Sequence, residues 1–293
     1  MMDTKKQHTQ KKYLKREDME RRAHHRKQRM MGAGAGGAVG VGGAVGVPHP
    51  NTPVPLPVPV HVPVPVVPSS FSLQSFIRFP AYDQGDLGSC TANAFCAAYR
   101  MRAVIENKDV GFEPSRLFFY YNERLVEGNV NSDEGGDVVD GEAFVHRSGV
   151  CSEASWPYVV EKFAVRPPPA CYTEAVRHKI AVCGTLLQTG TALVTAMKQQ
   201  LLAKEPLLVG VFLYESFDSD TVAATGVVPM PNVNQEQSLG GHEMCVVGYD
   251  DGRKAFQVLN SWGPTWGLKG FCWMPYTYFA NPHLCVEVSL FCI

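Results

Sequence analysis

Proline stands at every second or third position through most of residues 48–68, "PHPNTPVPLPVPVHVPVPVVP". Proline fixes φ and has no backbone N–H, so such a stretch is excluded from the interior of a sheet or helix and is expected as an extended polyproline II rod. Residues 30–47, "MMGAGAGGAVGVGGAVGV", precede it without a charge. Their length raises the question of a membrane span, but small residues gain little from hydrocarbon, and a low-complexity linker is the better reading. Neither stretch can supply a core. Whatever folds must therefore be built from the 225 residues that follow Pro68.

Upstream of the linker, residues 1–31 carry eleven Lys and Arg against four acids, a net +7 that leaves the rest of the chain at −8. Helix formers are frequent there but no apolar stripe is, so an exposed or frayed helix is expected. A basic arm on an acidic body suggests contact with nucleic acid, with an acidic surface or with the body itself. The chain thus divides into an arm (1–31), a linker or atypical pro-segment (32–70) and a body (71–293). No clear signal peptide and no firm membrane segment is recognised, and action in the cytoplasm or packaged in a virus particle is expected rather than secretion. Nothing sets an oligomeric state.

The nine cysteines include no CxxC pair and no His/Cys grouping at zinc spacing, so no metal or other cofactor is expected. In the body, helices are expected over residues 90–107, 114–127, 140–148 and 191–203. Beyond Pro206 the signal turns to strands: "LLVGVFLY", "EMCVVGYDD", "AFQVLNSW", "GFCWMPY" and "CVEVSLFCI". Helices first and antiparallel strands later give an α+β body with two lobes.

Cys90 falls at the start of the first helix. A thiolate there faces unpaired N–H groups and the positive end of the helix dipole, which should lower its pKa. Taken alone it reads equally as a small buried hydrophobe. His242 and Asn260 change that balance. A hairpin loop at residues 250–252 would pair 249 with 253 and so 242 with 260, whereas a two-residue turn at 251–252 would pair His242 with Ser261. Either way an amide beside the imidazole can fix the ring and leave its second nitrogen for a thiol.

Gln84 lies six residues before Cys90, Gly-Ser precedes that cysteine, "LGGH" opens one strand, "GYDD" follows, and "NSWGPTWGLKGF" starts at Asn260. In this order the motifs resemble the papain and cathepsin family of cysteine peptidases, closest to its bacterial and large-DNA-virus branch, from about Phe76 to the C-terminus. The resemblance implies a papain-like two-lobe fold, a mainly helical lobe and an antiparallel β-barrel-like lobe with the cleft between them. It implies Cys90 as nucleophile, His242 as general base and acid, Asn260 as its orienting partner, Gln84 as oxyanion donor and Trp262 as a shield over the His–Asn pair. Gly135 and Gly136 match the segment whose backbone pairs with an extended polypeptide substrate, though an ordinary loop would read the same.

Departures accompany the match. Thr91 stands where the family has Trp, and Leu87 where it has a disulfide-forming Cys. Glu243 follows the histidine in place of a small apolar residue; its carboxylate either stays in solvent or biases substrate charge. Glu17 and Arg21 are spaced as in the family's pro-segment helix, but the Phe and Asn partners of that pattern are missing. The Val-Pro rod, a poor substrate itself, is expected either to lie along the cleft or to serve as a solvated spacer. No adjacent His pair in the body suggests carboxydipeptidase action. The alternatives to a thiol endopeptidase made as a zymogen are an acyl or peptidyl transferase, and a catalytically silent scaffold that binds nucleic acid or proline-recognition partners through its N-terminal region.

Overall fold

The computed structural model describes Tyr13, Glu17, Met19, Glu20, Arg21 and residues 67–293. The polyproline stretch and most of the arm therefore lie outside the described residues. Three helices come first: α1 (Cys90–Glu106), α2 (Arg116–Glu127) and α3 (Val138–Ser148). Local chemistry sets their ends. The Ser115 hydroxyl accepts from the Phe118 N–H at 3.0 Å and opens α2, and the Asp137 carboxylate accepts from the Val139 N–H at 2.9 Å and opens α3. Asn107 closes α1 in the left-handed region at φ 53°. Gly149 closes α3 at φ 81°, and a Cβ there would lie 1.7 Å from the Ala175 carbonyl oxygen, so both backbone angle and space require glycine.

Helices α4 (Pro169–Ala175), α5 (Gly190–Leu202), α6 (Asp220–Thr225) and α7 (Tyr276–Ala280) are interspersed with the strands. The strands are β1 (Ser70–Ser72), β2 (Ala181–Thr185), β3 (Leu207–Tyr214), β4 (Ser238–Asp250), β5 (Ala255–Leu259), β6 (Phe271–Pro275) and β7 (Cys285–Cys292). They form one antiparallel sheet in the order β2-β7-β3-β4-β5-β6, with β1 paired to β4. β3 has neighbours on both edges and is buried along its whole length, which is why "LLVGVFLY" is uninterrupted by charge.

Helix α1 packs across β4, so the start of α1 and the middle of β4 meet at the join between helices and sheet. Phe95 of α1 stacks on Phe119 of α2 and Phe291 of β7, with centroids 4.3 and 4.8 Å apart, and ties the two parts together. Each such buried ring contributes about 2 kcal/mol from apolar burial. The fold is the α+β, two-lobed arrangement expected. Cys292 is disulfide-bonded, while Cys90, Cys96, Cys151, Cys171, Cys245, Cys272 and Cys285 are free thiols. No helix among the described residues is long and apolar enough to cross a membrane.

Candidate active site

Cys90 is the first residue of α1, and its sulfur sits beside the backbone N–H groups of Thr91 and Glu243. The second of these belongs to the residue after His242, so the nucleophile candidate and the imidazole-bearing strand are adjacent. His242 Nε2 lies 2.8 Å from Asn260 Oδ1. The same oxygen accepts the Ser261 N–H at 2.8 Å, which fixes the amide with its oxygen toward the ring. With Nε2 committed as donor to Asn260, Nδ1 is the nitrogen available to proton exchange.

The pairing that brings these residues together differs from the hairpin arithmetic. Tyr249 pairs with Phe256 rather than residue 253, because the loop holds residues 251–254, with Lys254 left-handed at φ 52°. The register then shifts between Val246 and Gly248, and the ladder ends with Cys245 opposite Leu259. His242 therefore does not stand directly opposite Asn260; its ring leans along the strand to reach the amide.

Gln84 is buried, its Oε1 accepting from Ser261 Oγ at 2.7 Å and its Nε2 donating to the Leu87 carbonyl at 3.0 Å. One hydrogen of that amide remains beyond the bond to Leu87. Backbone bonds from Gln84 N to Ser261 O and from Gly263 N to Tyr82 O splice this segment onto the Asn260–Trp262 stretch. The Trp262 ring lies 5.3 Å from the His242 ring at 41° and packs against Phe217 and Trp266. Gly135 and Gly136 run past the turn before Cys90: a Cβ on Gly88 would lie 3.2 Å from Gly135 N. A Cβ on Gly136 would enter the Glu123 carboxylate at 2.2 Å, so the loop needs glycine to lie this close to α2.

Two expectations are overturned. Cys90 is fully buried, and burial pushes its thiol up to about 12 rather than down. The N–H groups of Glu243 and Thr91 pull against that rise, and the carboxylates of Glu243 and Glu123 add to it. Glu243, for which solvent was one reading, is only 2% exposed. Two residues of the arm reach this region: Tyr13 packs its ring edge against His242 and Trp262, with centroids 6.3 and 6.2 Å away, and Met19 is 5% exposed against Gly210 and Gly241. These two residues were missed in the sequence, where Tyr13-Leu14 and Met19 are isolated apolar positions among charges.

Among the described residues no group of three or more His, Cys, Asp or Glu is placed to hold a metal ion. The profile of the papain family cysteine proteases matches residues 68–285. An uncharacterized peptidase C1-like protein of Acanthamoeba polyphaga mimivirus is 38% identical over 227 residues, 75% of this chain and 73% of its own. Xylellain, a cysteine protease from Xylella fastidiosa, superposes with a TM-score of 0.70 at 33% identity, over 77% of this chain and 86% of its own. Procathepsin L 3 of Tenebrio molitor shares the fold at a TM-score of 0.61 and 20% identity, over 80% of this chain and 72% of its own. The chain belongs to the papain family. It is a cysteine-type peptidase and acts on polypeptide.

Proposed function

We propose that the protein is an endopeptidase made in a latent form, with Cys90, His242 and Asn260 as its catalytic residues and Gln84 as oxyanion donor. The observation that carries this reading is the His242–Asn260 bond of 2.8 Å on the strand whose next N–H faces the Cys90 sulfur. His242 Nδ1 takes the thiol proton as Sγ attacks the substrate carbonyl carbon. The oxyanion so formed takes hydrogen bonds from the Cys90 N–H and the Gln84 side-chain N–H, each worth ~3 kcal/mol in comparable sites. As the tetrahedral centre collapses, the amine leaves with the proton from the imidazolium. Water, losing its proton to the same nitrogen, then attacks the thioester and releases the carboxylate and the thiol. Trp262 excludes water from the His–Asn pair, and the Gly135–Gly136 backbone pairs with the extended substrate.

Latency is supported by Tyr13 and Met19, which cover the cleft while Cys90 and His242 are both fully buried. The expectation that the proline rod covers it falls on residues outside those described.

Treating the full chain with a limiting thiol electrophile at mildly acidic pH tests both parts. In the full chain Cys90 should label slowly; when Tyr13→Ala and Met19→Ala are combined, labelling should concentrate on Cys90 and peptide hydrolysis should appear, and both should disappear when His242→Ala is added. Uniform labelling of the seven free thiols, with no hydrolysis in any variant, would leave the silent scaffold as the correct description.

A further inference from the structure

Thr91, which stands where the family has Trp, turns its hydroxyl inward from the first turn of α1. Its Oγ1 donates to Glu123 Oε1 of α2 at 2.6 Å, and both residues are buried. The same carboxyl group lies against the Gly135–Gly136 loop: a Cβ on Gly136 would stand 2.2 Å from Glu123 Cδ and 2.4 Å from Oε1. One acidic side chain therefore touches both the residue that follows the nucleophile and the loop proposed to pair with substrate.

Separate atoms make the same connection a second time. Asp133 Oδ1 accepts the Gly88 N–H at 2.9 Å and the Tyr120 hydroxyl at 2.5 Å, so the turn before Cys90 and the chain before Gly135 share one anchor on α2. Glu127 Oε1, one turn beyond Glu123, accepts the Asp137 N–H at 2.6 Å. Residues spaced three and four apart lie on one face of a helix, and 120, 123 and 127 are so spaced. That face of α2 indexes the segment 88–91 against the segment 133–137.

On electrostatic grounds alone a carboxylate is unfavourable here. Burial is the main cause that holds the Cys90 thiol up, and the Glu123 charge adds to it, although attack requires the thiolate. An apolar side chain of similar size would fill the space without opposing ionisation; what only the carboxyl supplies is an acceptor shared between helix start and loop. Resting on the peptidase reading above, we propose that Glu123 is a positioning residue: through Thr91 and the Gly135–Gly136 loop it sets the spacing between the Cys90 sulfur and the backbone of a bound polypeptide. Spacing of this kind matters for rate, since a misplacement of about 1 Å between reacting atoms is worth roughly a hundredfold.

The experiment uses the full chain carrying Tyr13→Ala and Met19→Ala as parent, and compares hydrolysis of a peptide with alkylation of Cys90 by iodoacetamide, a reagent that needs the sulfur but not the loop. Thr91→Val keeps the side-chain shape and removes the donor. Its kcat/KM should fall about thirtyfold, mostly through kcat, while the alkylation rate stays within about twofold of the parent. Thr91→Ser, which keeps the hydroxyl, should bring hydrolysis back to within about threefold. Glu123→Leu should lose as much as Thr91→Val, and the two together should lose no more than either alone, because they remove one shared interaction. Should Glu123→Leu fail to fold, the two Thr91 variants still decide. Full hydrolysis in Thr91→Val, an equal change in hydrolysis and alkylation, or a loss that Thr91→Ser does not recover overturns the positioning role and leaves the peptidase reading intact. A parent that cuts no peptide removes the peptidase reading, and this one with it.

Discussion

A thiol at a helix start ordinarily loses its proton more easily, and Cys90 does the opposite because burial outweighs the dipole in the covered cleft. The consequence has a definite sign. The folded value, about 12, lies above the ordinary 9.0, so as pH rises from 9 towards 12 the unfolded chain releases this proton before the folded one. The stabilisation from keeping Cys90 neutral is full below pH 9 and is lost across that window. Alkylation should follow the same order. In the full chain, Cys90 should react far more slowly with iodoacetamide at pH 8 than a cysteine in a peptide, and approach the peptide's rate only in strongly alkaline solution, as read by peptide mapping. Equal rates at pH 8 would show that the thiol is not held neutral. At this scale most of the site was legible in the sequence: Cys90, Gln84, His242 and Asn260 each sit in a short signature with a local chemical reason. Tyr13 and Met19 were hidden, because two apolar residues six apart make no helical stripe.

Elements decide how firmly the site is held, and α2 does this for the loop of Gly135 and Gly136. Arg124 is fully buried with its guanidinium over the Tyr120 ring, 3.9 Å from ring centroid to Cζ. It donates to four carbonyls: Tyr120 at 3.0 Å, Val130 at 2.8 Å, Ser132 at 3.0 Å and Phe163 at 2.6 Å. The chain leading to Gly135 is thereby fastened to α2 through one planar fork. Arg124→Lys keeps the charge and loses the fork, leaving buried carbonyls without donors. It should cost about 2–4 kcal/mol in urea unfolding and raise KM for peptides more than it lowers kcat. An unchanged KM would mean that the loop is positioned by other contacts. The long helices and the strands beyond Pro206 were legible because their periodicity is strong, with ends within a few residues of those observed except for β4, which begins five residues before the expected run. The hairpin register was not: the four-residue loop and the shift near Val247 leave no turn signature or break in the alternation from which they could be read. β2 escaped notice because "AVCGT" is short and carries a glycine.

On the scale of the whole molecule, the proposed latency has Tyr13 and Met19 covering the site of their own chain. Covering the cleft in cis predicts a simple concentration test. Specific activity of the intact protein should not change on dilution. After a protease site introduced between residues 31 and 48 is cut, activity should rise as the sample is diluted, because arm and body then part as two molecules. Activity that depends on concentration before the cut would instead indicate that one copy covers the cleft of another.

The contact made by Tyr13 and Met19 is small, and it need not be strong. Residues 22–69 join it to β1 through 48 positions, and a tether of that order presents its end at roughly millimolar effective concentration. An arm whose free affinity were only about 0.1 mM would then occupy the cleft roughly nine-tenths of the time. Latency of this kind resides in covalent continuity rather than in the strength of the plug. Severing any one peptide bond of the tether would end it, leaving both the arm and the cleft chemically unchanged.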